Sequence, residues 1–140
     1  MKDFLFRQVH PCHFQNGLSS GAFRPTPNDK DMLSVDCGNM TTAEASYNLH
    51  LTKTKQLPDG SRVALESAGT WAITRDVCAT NSLSVTADPL IATESQPANT
   101  AHHLVDFSGI AGKPSKKNDT VAKRLKQRAL EIGRLWPAVD

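Results

Sequence analysis

Short apolar segments, separated by loops rich in Pro, Gly, Ser, Asn and Asp, occupy most of the first 112 positions. Their alternating or continuous apolar character, with β-branched and aromatic residues among them, is typical of β-strands. On this basis the sequence predicts strands at 4–9, 32–35, 70–74, 83–85 and 102–107.

Helical and turn signals lie between these strands. Thr41 or Thr42 can cap a first helix, with Glu44 in its first turn, and this helix is expected to end near residue 52. Three shorter segments complete the pattern: an extended piece at 22–24, a strand or short helix at 63–66, and one helical turn at 76–79.

The last part of the chain has an apolar stripe at helical spacing. Residues 113–118 are expected to form a linker, and Asn118 or Asp119 to cap a helix that runs to about Trp136. The apolar positions of this helix are Val121, Ala122, Leu125, Ala129, Ile132, Leu135 and Trp136.

Together these elements predict an α+β fold. We expect a small mixed or antiparallel sheet of about five or six short strands with two main helices, the last one C-terminal, basic and amphipathic. The chain of 140 residues fits one domain. Its composition nevertheless changes after residue 112, so we separate an α+β domain, 1–112, from a linker and basic helix, 113–140, packed on that domain or extending from it.

Positive charge is concentrated in the final segment. Residues 113–140 carry eight Lys and Arg against three Asp and Glu, whereas residues 1–112 carry eight against eleven. A basic helix face can contact nucleic-acid phosphates or an acidic protein, or it can simply be solvated. The candidate anion-binding residues are Lys116, Lys117, Lys123, Arg124, Lys126 and Arg128.

Composition argues against several classes of protein. Cys12, Cys37 and Cys78 are odd in number and widely spaced, which disfavours a secreted disulfide framework. No apolar segment has the length of a membrane span, and the N-terminus lacks the apolar region of a signal peptide, so we expect a cytoplasmic protein without membrane contact. Aromatic residues make up only 6%, which disfavours nucleic-acid binding that depends on base stacking.

Several motifs of the first 107 residues form a recognisable series. They are Arg-Gln-Val-His-Pro at 7–11, Ser-Ser-Gly-Ala-Phe at 19–23, Leu-Ser-Val at 33–35, Pro-Ala at 97–98 and Ala-His at 101–102. The series resembles a group of small uncharacterised bacterial proteins, over most of residues 5–107. That resemblance implies no particular activity.

The order of signals is also similar to that of small ADP-ribosyltransferase-type folds, including toxins that degrade NAD. The matching positions are Arg7, the segment 20–23, the strand 33–35 and the helix start at 42–44. The resemblance implies NAD as substrate, with Arg7 clamping the pyrophosphate, Phe23 stacking on a ring and Glu44 stabilising charge at the ribose. Alternatively, Arg7 pairs with an acid, Phe23 fills the core and Glu44 belongs to a capping box.

Five histidines offer a different chemistry. His10 and His102 each flank a predicted strand, and two converging imidazoles can cleave RNA by acid–base catalysis. Arg7 or Arg24 would then neutralise the phosphorane. The alternative is that each histidine is a surface or structural residue.

Metal-ligating residues lack the paired short spacing of zinc sites. Cys12 and His13 are adjacent, and Cys37 and His50 are far along the chain. Neighbouring residues of an extended chain point to opposite faces, so the sequence predicts no metal site.

These patterns favour a small bacterial binding or adaptor module, associated with defence (toxin–antitoxin or anti-phage) and recognising a protein or an anionic partner, including nucleic acid through the last helix. The alternatives are an enzyme that acts on NAD and a histidine-dependent ribonuclease. The candidate catalytic residues are Arg7, His10, Ser20, Ser34, Glu44 and His102.

Overall fold

A five-stranded antiparallel sheet lies at the centre of the protein. The structure, a computed structural model, describes residues 3–25, 31–110 and 114–138. In chain order the strands and α-helices are β1 (Phe4–Gln8), β2 (Met32–Cys37), α1 (Ala43–Leu51), β3 (Thr54–Gln56), β4 (Arg62–Ala64), β5 (Thr70–Thr74), α2 (Arg75–Thr80), β6 (Ser84–Ala87), β7 (His102–Asp106) and α3 (Pro114–Ile132). Two short 3₁₀ helices, Pro11–His13 and Ser20–Phe23, follow β1.

The main sheet has the strand order β5–β1–β2–β7–β6, and β3 and β4 form a separate two-stranded sheet. All ladders are antiparallel. With two longer helices, α1 and α3, this arrangement confirms the α+β class predicted from the sequence.

One face of the main sheet is apolar. Because side chains alternate along a strand, the paired residues Leu5 and Ile73 point to the same side, as do Leu33 and Val105. The second 3₁₀ helix and α3 cover this side. The buried residues that join the helices to the sheet include Ala22, Phe23, Val121, Ala122, Leu125 and Ala129.

The opposite face is polar. Gln8 pairs with Thr70 and Asp36 pairs with His102, so these four side chains project to the side away from the apolar core. Helix α1 packs over β1 and β5 on this side. Thr42 caps α1, as predicted, by accepting a hydrogen bond from the Ala45 amide at 3.1 Å.

The C-terminal helix differs from its prediction at both ends. The structure places Pro114–Asn118 inside α3, so the predicted linker 113–118 is wrong where it is described. Pro is favourable in the first helical turn, because the amide it lacks would be unpaired there. The helix ends at Ile132, and Gly133 follows with a φ of 86°, the left-handed conformation that terminates helices.

The residues after α3 extend the sheet instead of continuing the helix. The Thr70 amide donates to the Trp136 carbonyl at 2.7 Å, and the Leu135 amide donates to the Thr70 carbonyl at 2.8 Å. These bonds cover the outer edge of β5. Gly69 allows the close approach, since a Cβ there would lie 2.9 Å from the Trp136 carbonyl oxygen.

Two short segments, 22–24 and 63–66, differ from their predictions in whole or in part. Residues 22–24 were expected to be extended, but Ser20–Phe23 is a 3₁₀ helix, capped by the Ser19 hydroxyl. The segment 63–66 is a strand in part, since β4 spans Arg62–Ala64, and its partner β3 was not predicted.

Within the part of the chain that the structure describes, no helix has both the length and the apolar character needed to cross a membrane.

Candidate functional site

The two central strands β1 and β2 are joined by backbone pairing over a short distance. The pairs are Leu5 with Cys37 and Phe6 with Asp36, although β1 continues to Gln8. At the next position of β1, the Arg7 side chain bonds to main-chain carbonyls where the backbone pairing of β1 with β2 has ended. Its Nη1 donates to the Ser34 carbonyl at 2.9 Å and its Nε to the Ala22 carbonyl at 2.8 Å. A guanidinium is therefore fixed where the two strands lack backbone pairing.

Two adjoining cavities open on the polar face at this place. Arg7 belongs by strand alternation to the apolar side, and it lines the first cavity at the gap between β1 and β2. The first, of about 200 Å³, has the polar lining residues Arg7, Ser34, Asp36, His50, Lys53 and His102, besides Gln8. The second, of about 440 Å³, includes Ser34, Lys53, Asp88, Gln96 and His102. Ser34, Lys53 and His102 line both cavities, so we treat the two as one cleft and call these three residues its shared wall.

A buried carboxylate forms the base of the cleft. Asp36 is 8% exposed; its Oδ2 accepts from the Ser46 hydroxyl at 2.7 Å and its Oδ1 from the Asn99 amide at 2.9 Å. Buried carboxylates are stable only when such donors satisfy them. The negative charge of Asp36 is thus already engaged by the protein itself.

The same network holds α1 on the sheet. Gln8 Nε2 donates to Ser46 Oγ at 2.9 Å and to Thr70 Oγ1 at 2.8 Å, while its Oε1 accepts from the Ser67 hydroxyl at 2.9 Å. Ser46 lies in the middle of α1, so these bonds fix the helix whose last turn carries His50. Lys53 follows directly after that turn.

His102 is held in a defined orientation. Its Nδ1 lies 2.9 Å from the main-chain carbonyl oxygen of Asp88 and 3.2 Å from Asp88 Oδ2. A carbonyl oxygen only accepts hydrogen bonds, so Nδ1 carries the proton and Nε2 of the neutral ring keeps its lone pair. His102 is 6% exposed, and its ring belongs to the shared wall.

His50 is a neutral imidazole at physiological pH. Burial, with the positive charges of Lys53 and Arg7 adding to it, lowers the pKa of His50 from 6.5 to about 4. Its Nε2 lies 3.2 Å from the Glu66 carbonyl and therefore donates to it. Nδ1 is then the ring nitrogen that can accept a proton or a hydrogen bond.

Lys53 brings a second positive charge to the cleft. Burial lowers the pKa of its ammonium group, and the nearby Arg7 charge acts in the same direction, whereas Asp36 opposes both. Arg7 and Lys53 thus set a positive potential at the cleft, and the hydrogen-bonded Asp36 offsets part of it.

Three of the six predicted catalytic residues meet in this cleft: Arg7, Ser34 and His102. His10 lies elsewhere, at the N-cap of the first 3₁₀ helix, where its Nδ1 accepts from the Cys12 amide at 3.0 Å. It lines a third cavity, with Lys55 and Glu66.

The other two candidates are not brought to the cleft lining within the described residues. Ser20 begins the second 3₁₀ helix, and Glu44 is exposed in the first turn of α1. Phe23, expected to stack on an NAD ring, is fully buried in the core, so that role is wrong and the alternative of core packing is correct.

The basic residues of α3 are only partly available to an anion. Arg124 donates to Asn81 Oδ1 at 2.8 Å, and Arg128 donates to Thr74 Oγ1 at 2.7 Å and to Asp76 Oδ1 at 3.0 Å. Lys123 is exposed and Lys126 is half-buried. The side chains of Lys116 and Lys117 lie outside the described part of the protein.

Sequence reasoning missed the contribution of Asp36, His50 and Lys53 to the cleft. Asp36 continues β2 beyond the predicted strand end, in the alternation that puts Ser34 on the same face; that alternation was a usable signal. His50 and Lys53 reach the cleft through the packing of α1, for which the sequence carries no local signal. Among described residues, no group of three or more His, Cys, Asp or Glu is placed to hold a metal ion.

In comparisons with protein-family models, curated proteins and solved structures, nothing matches the chain. The two resemblances drawn from the sequence therefore stay predictions. The function is inferred from the residues of the cleft.

Proposed function

We propose that this protein binds a phosphate-bearing ligand of nucleotide size in the cleft on the polar face of the sheet, beside the last turn of α1. The observation that carries the proposal is the convergence of Arg7, Lys53, His50 and His102 on the walls of one cleft. The proposal therefore assigns the anionic partner expected from the sequence to this cleft.

The charges of the cleft fit a phosphate group. Arg7 and Lys53 are cationic, and Asp36 is occupied by Ser46 and Asn99. Positively charged walls in a partly dehydrated cleft attract anions more strongly than exposed cations do, because solvent screens them less. Neutral His50 and the Ser34 hydroxyl add groups that can exchange hydrogen bonds with a ligand.

The size of the cleft fits a nucleotide better than a free anion. The two cavities, of about 200 Å³ and about 440 Å³, adjoin at the shared wall. Ligand sites of proteins typically measure roughly 300–1,000 Å³. Apolar lining from Leu65, Leu90 and Leu104 can contact a sugar or base beside the phosphate.

Binding of adenosine 5′-monophosphate, compared with adenosine, tests the proposal by isothermal titration calorimetry. We expect the phosphate to strengthen binding at least about tenfold at low salt, which corresponds to about 1.4 kcal/mol. Lys53→Met should remove that difference. Lys55→Met, an exposed cation of β3 only two positions away, is the matched control and should keep it.

Equal binding of the two ligands would refute the proposal, as would an equal effect of Lys53→Met and Lys55→Met. If the phosphate preference is lost only in a Lys123→Gln, Lys126→Gln double variant, the anion binds α3 and not the cleft. Circular dichroism of each variant establishes that the fold is retained.

A further inference from the structure

Resting on that proposed function, we propose that the cleft cleaves RNA, with His102 as general base and Lys53 as general acid at a phosphodiester on the shared wall. The 2′-hydroxyl of RNA is a nucleophile within the substrate, so the reaction needs from the protein only proton transfer and stabilisation of negative charge. Both are properties of residues that line this cleft.

The two-cavity shape is the first observation that supports this substrate. A dinucleotide has one phosphate between two nucleosides. If each cavity holds one nucleoside, the phosphate lies where the cavities adjoin, beside Ser34, Lys53 and His102. A mononucleotide can bind at the shared wall and one cavity, and a dinucleotide extends from the shared wall into both.

The second observation is the fixed tautomer of His102. Asp88 accepts from Nδ1–H through its main-chain carbonyl and lies close with its carboxylate, at 2.9 Å and 3.2 Å. Nε2 is thereby the basic nitrogen, and the carboxylate stabilises the imidazolium that forms when Nε2 takes a proton. Asp88 is a positioning residue and needs no contact with the substrate.

Lys53 has the properties of the proton donor. It lines both cavities, like His102, and burial lowers the pKa of its ammonium group, which makes that group a stronger acid than an exposed lysine. His50 stays neutral at physiological pH and is suited to accept a hydrogen bond rather than to donate a proton.

The reaction consists of two proton transfers and one exchange of bonds at phosphorus. The 2′-hydroxyl gives its proton to His102 Nε2, the 2′-oxygen forms a bond to phosphorus, and the bond from phosphorus to the 5′-oxygen breaks. The leaving 5′-oxygen takes a proton from the Lys53 ammonium. The products are a 2′,3′-cyclic phosphate and a 5′-hydroxyl, and solvent returns the proton to Lys53 and removes the one on His102.

Positive charge near the phosphorane lowers the barrier. Arg7 is fixed by the Ser34 and Ala22 carbonyls at the edge of the first cavity, so its charge is preorganised before substrate binds. The charged and titratable groups around His102 are Asp88 beside Nδ1, together with Asp36, His50, Lys53 and Arg7 of the cleft. Cleavage should therefore slow on the alkaline side, where Lys53 loses the proton that it donates.

The experiment compares the dinucleotide UpA with its analogue lacking the 2′-hydroxyl, dUpA. Chromatography follows the formation of uridine 2′,3′-cyclic phosphate and adenosine from UpA, and calorimetry measures the binding of dUpA. We expect cleavage by the wild type. Lys53→Arg keeps the positive charge but cannot release a proton near neutral pH, so it should still bind dUpA. It should cleave UpA at least about 100-fold more slowly, and its cleavage rate should no longer fall on the alkaline side. His102→Gln should slow cleavage by at least about 100-fold.

Lys55→Arg is the matched control and should cleave UpA at the wild-type rate. Binding of dUpA without cleavage of UpA refutes the inference and leaves the proposed function standing. Absence of dUpA binding, together with failure of the adenosine monophosphate test, refutes both. Cleavage that survives in both Lys53→Arg and His102→Gln also overturns the assignment of the acid and the base. If His102→Gln does not fold, wild-type cleavage by Lys53→Arg alone overturns it.

Discussion

The hydroxyl of Ser46, in the middle of α1, donates a hydrogen bond of 2.7 Å to Oδ2 of Asp36, in the fifth position of β2. This contact ties the helix that carries His50 to the strand that carries Ser34. Both groups are buried, so the bond is shielded from water. The geometry of the cleft depends on this contact.

Ser46→Ala should therefore destabilise the protein. The change removes the donor to Asp36 and the acceptor of Gln8, and leaves a buried carboxylate with one donor fewer. We expect a loss of about 1–3 kcal/mol in the free energy of unfolding, measured by urea titration. Ser84→Ala, at an exposed position of β6, is the control and should change stability by less than about 0.5 kcal/mol. Equal effects of the two changes would contradict the role of the network.

Stability should fall on acidification because of His50. Its folded pKa of about 4 lies below the ordinary value of 6.5, so between these values the unfolded chain binds a proton that the folded protein does not. The stability is full above about pH 6.5 and is lost as the pH falls towards 4. After allowance for partial exposure, the loss from this group is on the order of 2 kcal/mol.

Urea titrations at pH 7.0 and 4.5 measure this effect. His50→Gln keeps a donor for the Glu66 carbonyl but cannot titrate, so its stability should change less between the two pH values. Burial also lowers the pKa of Lys53 from its usual 10.5, so the effect of this group on stability begins in the alkaline range, and the comparison with His50→Gln isolates the His50 contribution. The same pH dependence in wild type and variant would show that His50 titrates normally.

Gly69→Ala should destabilise the sheet edge. Its φ of 136° is strained for alanine, and the new Cβ would lie 2.7 Å from Arg134 Cδ and 2.9 Å from the Trp136 carbonyl oxygen. Gly60→Ala shares the positive φ, 90°, but has nothing within 4 Å. We expect Gly69→Ala to cost about 1–3 kcal/mol more than Gly60→Ala in thermal or urea unfolding. It should also speed exchange of the Thr70 amide proton, which the Trp136 carbonyl accepts.

The three cysteines should react at different rates. Cys12 is exposed, whereas Cys37 and Cys78 are buried, and burial raises the pKa of Cys78 to about 12. Thiolates, not thiols, are the reactive form. A thiol-specific chromogenic disulfide should therefore modify one cysteine rapidly in the native protein and all three in denaturant. A Cys12→Ser variant should lose the rapid phase; its persistence would show that a buried thiol is accessible.

The elements that could be predicted are those with a strong local signal. Strand β5 is apolar and fully buried, and α1 has Thr42 as its cap, so sequence pattern located both. The start of α3 was missed because its first turn is Lys-rich and polar, and its apolar stripe begins only at Val121. The 3₁₀ helix at Ser20–Phe23 was missed because its four residues give too short a pattern to separate it from an extended segment.

Only some of the cleft residues could be predicted from the sequence. Arg7, Ser34 and His102 lie on predicted strands, and strand alternation favours a shared face for Ser34 and Asp36. His50 and Lys53 reach the same place through the hydrogen bonds of Ser46 and Gln8, which join residues far apart in the chain. Such contacts depend on tertiary packing, and single-sequence periodicity does not encode them.

The pairing of Thr70 with Trp136 also sets an order of events during synthesis. The outer edge of β5 offers unpaired backbone groups until the ribosome has released the residues that follow α3. A nascent chain stalled before Leu135 therefore exposes an open strand edge, the kind of surface at which chains associate wrongly. The edge of β5 is covered only when Leu135 and Trp136 have been synthesised and have paired with Thr70.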